Sequence, residues 1–265
     1  MMVHVFILAG DRAGQIHDVA EAAGTRCKAF AKIDDTSMIE RVIRTLKSSP
    51  AIEKILVSIP DYKETKTEAL SLYAQFQTGD VERIDPALSP VQSLLTMLDH
   101  VEDDTPILVT TADHALLSTN MIHDFVSGFD SDHYDVAAAM LPLDILTAKY
   151  PDMRRTRLKF RDGDYKSCNL FLFKNKHTAA ALLKFWQIIE DQRKTPWKMV
   201  KILGLLPLLH YLSGRLSLTR ALQYLGQKTA TTPQAVILTI PEAAIDVDRI
   251  SDLEFVRSLT KSDEI

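Results

Sequence analysis

Residues 3–10 read VHVFILAG, a short and largely apolar run that ends in a glycine. An apolar run of this length is typical of a β-strand that is buried on both faces of a parallel sheet. A small residue and a glycine at the end of such a strand let the backbone approach a ligand closely, and open α/β sheets bind ligands at this edge. The stretch therefore predicts a buried strand over Val3–Leu8 and marks Leu8, Ala9 and Gly10 as candidate ligand contacts.

Strand-like and helix-like segments alternate outward from this strand. The alternation predicts an α/β fold with a Rossmann-like, mostly parallel mixed sheet and helices on both faces. Because no repeat and no Gly-, Pro- or Ser-rich linker divides the chain, we expect one domain over residues 1–265, with a helical insertion at about 176–228. Further strands are predicted at Lys54–Ile59, Val81–Ile84, Ile107–Thr110, Val136–Leu141, Arg157–Phe160, Asn169–Phe173 and Ala235–Ile240, and helices at Thr65–Phe76, Val91–Leu98, Met121–Phe129 and Asp252–Leu259.

The composition disfavours several classes of protein. With 46% hydrophobic and 25% charged residues, the chain has the profile of a soluble globular protein. Its net charge of −4 gives no reason to expect nucleic acid as a partner. Its two cysteines do not make a disulfide framework and fit the reducing cytoplasm, where we expect the protein. The longest apolar stretch, Ile202–Leu209, falls well short of the ~18 residues of a membrane span.

Two acidic positions are candidates for a metal site. Asp113 follows the strand predicted at Ile107–Thr110, where a carboxylate at the sheet's edge is a hard oxygen ligand suited to Mg²⁺. The alternative is a helix cap, but Ser118 and Thr119 are better placed to cap the next helix, and we expect Thr119 to do so. Later, AAIDVD at 243–248 puts two aspartates on one face of an extended segment. Asp246 is interpreted as the metal candidate and Asp248 as a turn or cap before the last helix.

Basic residues are placed to meet phosphate groups at two points of the chain. Lys28 follows the first loop and would neutralise charge on a triphosphate; a solvated surface lysine is the alternative. The run RRTRLK at 154–159 includes Arg155 and Arg157, whose guanidinium groups match phosphate oxygens. The alternative for this run is a solvated edge strand protected by charge. With Asn169, which would hydrogen-bond an acceptor hydroxyl or amide, the two arginines form the predicted acceptor site.

The order of these motifs resembles the MobA-like nucleotidyltransferases, a branch of the sugar-phosphate nucleotidyl- and cytidylyltransferases. The resemblance rests on LAG at 8–10, KAF at 28–30, TADHALL at 111–117 and IDVD at 245–248, which a Ser-Asp-Leu helix follows. It implies a fold like that of the nucleotide-diphospho-sugar transferases. It also implies that Leu8, Ala9 and Gly10 hold an NTP, that Lys28 contacts its phosphates, and that Asp113 and Asp246 bind Mg²⁺.

The first loop departs from the family's pattern, which usually reads LAGG followed closely by an arginine. Asp11 stands where the second glycine belongs, and a longer insertion precedes Lys28. We expect Arg12 or Arg26 to supply the missing positive charge next to the nucleotide. The loop also lacks the G-x-x-x-x-G-K-[ST] and G-x-G-x-x-G patterns, which disfavours a P-loop NTPase and a common dehydrogenase.

The resulting hypothesis is a Mg²⁺-dependent nucleotidyltransferase. It would transfer a nucleoside monophosphate from an NTP, with CTP and GTP as candidates, to a small phosphorylated acceptor and release pyrophosphate. Lys28, Asp113 and Asp246 are the predicted catalytic residues. One alternative is a GT-A-type glycosyltransferase that uses a nucleotide sugar, because residues 246–248 have the D-x-D form, although their late position argues against that role. The other is a non-catalytic nucleotide-binding module.

The segment Trp197–Leu225 is largely apolar and is the least typical part of the chain. We expect Gly204, Pro207 and Gly214 to break it into short helices that pack on the sheet as an apolar hairpin. Two alternatives stay open: a homodimer surface, and a lid that meets a lipid-like acceptor or makes peripheral membrane contact.

Overall fold

The computed structural model describes residues 1–10, 17–61, 63–153, 156–192 and 195–262. Its centre is a mixed sheet in the order β10-β7-β9-β6-β1-β4-β5, with β8 paired to β9 and a separate small hairpin β2-β3. The strands are β1 Val3–Leu8, β2 Lys32–Ile33, β3 Thr36–Ser37, β4 Ile52–Ser58, β5 Glu82–Ile84, β6 Ile107–Thr111, β7 Val136–Pro142, β8 Leu158–Phe160, β9 Gly163–Phe173 and β10 Pro233–Ile237.

Helices cover both faces of the sheet and alternate with its strands, which confirms the predicted fold class. Single 3₁₀ turns lie at Lys28–Phe30, Leu98–His100 and Pro241–Ala244. The helices are α1 Asp18–Ala22, α2 Met38–Lys47, α3 Thr65–Glu68, α4 Leu70–Thr78, α5 Pro90–Met97, α6 Thr119–Ser127, α7 Leu143–Lys149, α8 Lys176–Gln192, α9 Pro196–Leu203, α10 Leu205–Leu212, α11 Leu218–Thr229 and α12 Ile250–Ser262.

The strand predicted at Val3–Leu8 is confirmed and occupies the middle of the sheet. It pairs in parallel with β4 on one side and β6 on the other. Its alternate side chains enter two cores: Val5 and Ile7 join the cluster on one face of the sheet, and Phe6 joins the cluster on the other. Since Leu8 is in register with Ser58 and Thr111, the carboxyl ends of these three strands lie at one edge.

Strand β9 is the exception to the parallel order, because it runs antiparallel between β6 and β7. Its register shifts between the pairs Ala138–Phe171 and Met140–Ser167, so β9 carries extra residues in a bulge. Asn169 lies in this bulge with a φ of 50°, in the left-handed region that asparagine tolerates better than most residues. The bulge places the early part of β9 at the same sheet edge as the end of β1.

Two predictions about helices are wrong in detail. The helix predicted at Thr65–Phe76 is two helices, broken at Ala69, whose φ and ψ are −144° and 63°. The carboxylate of Glu40 accepts the N–H groups of Ser71 and Leu72, so a side chain distant in sequence starts the second helix. At α6 the N-cap is Ser118 rather than Thr119, since its hydroxyl accepts the N–H of Met121.

The apolar segment 197–225 forms short helices, as predicted, with Gly204 and Gly214 at the breaks in positive-φ conformations of 95° and 67°. The predicted break at Pro207 is wrong, because this proline lies in the first turn of α10, where it costs no helical hydrogen bond. The expectation that the segment packs on the sheet is wrong for α10, because that helix has no buried residue. Its leucines face outward instead, as described below. Within the described residues, no helix has both the length and the apolar character that a membrane span requires.

Candidate functional site

The loop after β1 is held between the ends of two neighbouring strands. The Ala9 N–H donates to the Ser58 carbonyl at 3.0 Å, and the Ala112 N–H donates to the Leu8 carbonyl at 2.9 Å. The second bond brings Asp113 next to the loop. Ala9 is buried, whereas Gly10 is exposed at the edge of the sheet.

Gly10 is not required by its packing against the described residues. Its φ lies outside the positive range, and the nearest described atoms to a Cβ built on it are in the rings of Pro60 and Pro86, both at 3.6 Å. Folding alone would therefore accept alanine. The structure is consistent with the other reason for a glycine here, which is that a ligand approaches the backbone closely.

The 3₁₀ turn that carries Lys28 is attached to this loop. The Cys27 thiol donates to the Ala9 carbonyl at 3.2 Å, and Cys27 is fully buried. Arg26 lies just before it on the surface, and its backbone N–H donates to the Glu68 carboxylate at 3.2 Å. The turn thus sets Lys28 at the edge where β1 and β6 end.

Lys28 and Asp113 form the central ion pair of the site. The Lys28 ammonium lies 2.6 Å from one carboxylate oxygen of Asp113, and the side chains are only 16% and 13% exposed. The other oxygen accepts a hydrogen bond from the Thr111 hydroxyl. Lys28 also lies 3.5 Å from the carboxylate of Asp248. Burial disfavours the charged lysine, but the two carboxylates outweigh it and raise the pKa of Lys28, so the ammonium stays protonated near neutral pH.

Asp246 lies beside this pair because the late acidic segment is anchored to Asp113. The Val247 N–H donates to the Asp113 carbonyl at 3.1 Å, and the Val247 side chain is buried in the core. One carboxylate oxygen of Asp246 accepts hydrogen bonds from the Lys166 ammonium at 3.3 Å and the Asn169 amide at 3.2 Å. Asp246 is only 8% exposed, so it is a buried carboxylate with a cationic partner.

Asp248, interpreted as a turn or cap, lies just before α12. The carboxylate that accepts N–H groups here is that of Asp252 in the first turn of the helix, from Asp248 and Arg249 at 3.1 and 2.9 Å. The Asp248 side chain instead contacts Lys28. Among the described residues, the side chains that these contacts join are three carboxylates and two ammonium groups, with one net negative charge.

His114 is buried next to these charged side chains, and it is not a member of the ion pairs described above. It is 1% exposed, and among the described residues neither ring nitrogen has a hydrogen bond of ordinary geometry, although the backbone of Ala243 lies near enough to favour its charged form slightly. Burial dominates and lowers the pKa of His114 to about 4, so the ring is neutral near pH 7.

The predicted acceptor residues are separated. Asn169 lies at the site through Asp246, whereas Arg157 is 58% exposed and pairs with Asp164 across the β8–β9 hairpin at 3.2 Å. Arg12 and Arg155 lie outside the described residues. The sequence analysis did not predict Lys166, because no motif surrounds it. The one signal was its place between a turn and an apolar strand, where a side chain can lie at the edge of the sheet.

The residues present fit a Mg²⁺ ion that is completed by a nucleotide. Within the described ranges, no group of three or more His, Cys, Asp and Glu side chains is arranged to hold a metal by itself. Mg²⁺ in phosphate-transfer sites usually has one or two carboxylate ligands, with water and substrate phosphates as the others. Asp113 and Asp246 are two such carboxylates. Each already has a positively charged neighbour, Lys28 for Asp113 and Lys166 for Asp246.

A family model described as the MobA-like NTP transferase domain matches residues 5–164 of the chain. This range includes β1, Lys28 and Asp113, whereas Asp246 lies beyond it. No curated protein matches the sequence.

Solved structures are similar over nearly the whole chain. A hypothetical transferase from Thermus thermophilus has a TM-score of 0.75 at 22% identity, with 96% of this chain and 100% of that one covered. A 4-diphosphocytidyl-2C-methyl-D-erythritol synthase from Anaerococcus prevotii has a TM-score of 0.59 at 9% identity, covering 98% and 96%. A CMP:2-keto-3-deoxy-manno-octonic acid synthetase complexed with CTP has a TM-score of 0.59 at 13% identity, covering 99% and 100%. At these identities the likeness establishes the fold.

Proposed function

This chain belongs to the family of MobA-like NTP transferase domains, and from that membership we propose that it transfers a nucleoside monophosphate from an NTP to a small phosphorylated acceptor and releases pyrophosphate. The observation that carries the proposal is the Lys28–Asp113 pair at the end of β6, 2.6 Å apart and beside the exposed Gly10. An ammonium and a carboxylate at this edge are the groups that a metal-bound triphosphate requires.

The nucleotide would lie over the loop after β1. Gly10 leaves room for phosphate or base next to the backbone, and Lys28 would release Asp113 to contact phosphate oxygens. CTP and GTP are our candidates; the synthetase of similar fold that is complexed with CTP supports a triphosphate as the ligand. Arg26, exposed one turn away, is a further cation for the phosphates, as is Arg12 in our hypothesis.

Asp113 and Asp246 would hold the Mg²⁺ ion, which when bound neutralises phosphate charge and orients the reacting groups. The charge balance supports this cofactor. Three carboxylates at the described part of the site would repel phosphate oxygens, whereas a divalent cation that arrives with the triphosphate would be attracted to Asp113 and Asp246. Tight binding of the NTP is therefore expected to depend on Mg²⁺.

The acceptor would bind on the side of Asp246, where Lys166 and Asn169 converge. A phosphate group there is largely dianionic near pH 7, because its second pKa is about 6. The acceptor therefore needs positioning rather than deprotonation by a base, which agrees with a neutral, buried His114. Arg155 and Arg157 remain predicted acceptor contacts farther along the β8–β9 hairpin.

The second candidate function is a GT-A-type glycosyltransferase. The observation in its favour concerns the D-x-D segment at 246–248. Its middle residue, Val247, is hydrogen-bonded to Asp113, and the two aspartates next to it pair with different lysines, Asp246 with Lys166 and Asp248 with Lys28. Such an enzyme would release a nucleoside diphosphate or monophosphate from a nucleotide sugar instead of pyrophosphate from an NTP. Product identity therefore separates the two candidates.

A pyrophosphate-release screen of four NTPs against phosphorylated acceptors tests the proposal. We expect Mg²⁺-dependent release that Asp113→Asn reduces at least ~100-fold, as for the loss of one strong transition-state contact. Asp80→Asn is the matched control, since Asp80 pairs with Lys47 at 3.1 Å on the opposite, exposed part of the molecule. Full activity in Asp113→Asn would refute the assignment, and NTP binding without turnover would support a non-catalytic module.

A further inference from the structure

The helices α8 to α10 present an apolar surface to solvent. Both tryptophans of the chain, Trp186 and Trp197, are more than half exposed, at 52% and 68%. On α10 four leucines are exposed by 51% to 73%; we call them the leucine face, and they are Leu205, Leu206, Leu209 and Leu212. Exposed apolar surface of this extent marks a binding surface in proteins that are otherwise well packed.

The leucine face points outward because the opposite side of α10 is anchored to the protein. The His210 ring is hydrogen-bonded to the Tyr224 hydroxyl at 3.2 Å, and the Tyr211 ring packs on Phe160 with centroids 6.5 Å apart. The usual amphipathic order of a surface helix is thus largely reversed, because His210 is half-buried and Tyr211, although 41% exposed, packs on Phe160, whereas the four leucines are more exposed. Rotation of the helix to hide the leucines would break both contacts.

The segment that carries α9 and α10 is basic, although the last turn of α8 contains the acidic residues Glu190 and Asp191. Residues 192–241 contain seven Lys and Arg residues and no Asp or Glu, although the whole chain has 35 acidic residues and a net charge of −4. On α9, Lys198 and Lys201 are exposed on the same side as Trp197, at the spacing of neighbours on one helix face. Basic residues next to tryptophan and leucine are the composition of helices that lie in the headgroup region of a membrane.

We propose that α9 and α10 dock on the surface of an anionic lipid bilayer, with Trp197 and the leucine face in the interfacial layer and Lys198 and Lys201 against the headgroups. The charge argues against a second copy of the chain as the occupant. A two-fold symmetric contact through α9 and α10 would place Lys198 and Lys201 of one copy near those of the other, and like charges across an interface oppose association. An anionic bilayer offers both the apolar layer and the opposite charge. The inference is independent of the proposed nucleotidyl transfer.

Cosedimentation of the full chain with vesicles tests the proposal. At about 0.1 M salt, where exposed charges still interact over ~10 Å, we expect binding to phosphatidylcholine vesicles that contain 30% phosphatidylglycerol, and at least 10-fold weaker binding to pure phosphatidylcholine. Binding should shift tryptophan emission to the blue, and Trp197→Phe should remove most of that shift.

Variants distinguish the surface from its surroundings. Leu209→Glu with Leu212→Glu should lower vesicle binding at least 10-fold without loss of thermal stability, because neither residue is buried. Leu88→Glu is the control, since Leu88 is 90% exposed elsewhere on the molecule. Equal binding by the double variant, or no binding of the unaltered chain to anionic vesicles, would overturn the proposal. So would a stable dimer in light scattering that the double variant abolishes, because a second copy would then cover the leucine face.

Discussion

Lys28 is the residue that keeps two carboxylates of the site compensated in the folded chain. Replacing it removes the ammonium 2.6 Å from Asp113 and leaves a carboxylate that is 13% exposed without that partner. We therefore expect Lys28→Gln to lower the melting temperature and to lower kcat/KM at least ~100-fold, since the same ammonium would contact the leaving pyrophosphate.

Added Mg²⁺ provides a sharper readout of Lys28→Gln. Mg²⁺ should raise the melting temperature of the variant more than that of the unaltered protein, because no ammonium competes for Asp113. Lys47→Gln serves as the matched control, since its partner Asp80 is 66% exposed and the pair lies outside the site. An identical Mg²⁺ response in all three proteins would contradict a metal at Asp113.

Gly10 allows the nucleotide site to be tested without disturbing the fold. Among the described residues, the nearest neighbours of a methyl group at this position are Pro60 and Pro86, at ordinary van der Waals distance. We expect Gly10→Ala to leave the free energy of unfolding within about 0.5 kcal/mol of the original, as for most surface substitutions. The dissociation constant of the Mg–NTP complex, measured by titration calorimetry, should rise at least 10-fold. Unchanged NTP affinity would place the nucleotide away from this loop.

Among the elements, α2 and α4 share a single stabilising side chain. Glu40 completes the capping box of α2 with Ser37 and accepts the first N–H groups of α4 through its other oxygen. Glu40→Ala should therefore cost about 2 kcal/mol in urea unfolding, at the upper end for a helix cap. Glu53→Ala should cost less than about 0.5 kcal/mol, since that side chain is 59% exposed. Equal costs for the two variants would mean that the shared cap contributes little.

The site divides into a part that sequence predicts and a part that only the assembled sheet creates. Asp113 and Gly10 each follow a strongly apolar strand, so their placement at one edge follows from local pattern and parallel order. Lys166 and Asn169 reach that edge because β9 enters antiparallel between β6 and β7 and carries a bulge. Such an insertion has no local signature. The same limit applies to the break at Ala69, which depends on a carboxylate some 30 positions earlier in the sequence.

At the scale of the whole molecule, the two cores lie on opposite faces of one sheet and share β1. Regions that depend on these cores should open only with global unfolding, whereas α10 has no buried residue and can open by itself. Hydrogen exchange should therefore be slowest in β1 and β6 and faster by at least 100-fold in α10. Equal protection in α10 and β1 would show that the helical region unfolds together with the sheet.

The two lysine–aspartate pairs determine how the carboxylates of the site are held before a ligand binds. Lys28 and Lys166 act as tethered counterions, so the aspartates are held in place before any substrate arrives. The Lys28 and Lys166 side chains are only 16% and 13% exposed, so we expect an incoming cation to reach each aspartate only after the lysine side chain has moved away from it. In the proposed reaction, entry of the Mg–NTP complex would therefore be a substitution of one cation for another at these aspartates.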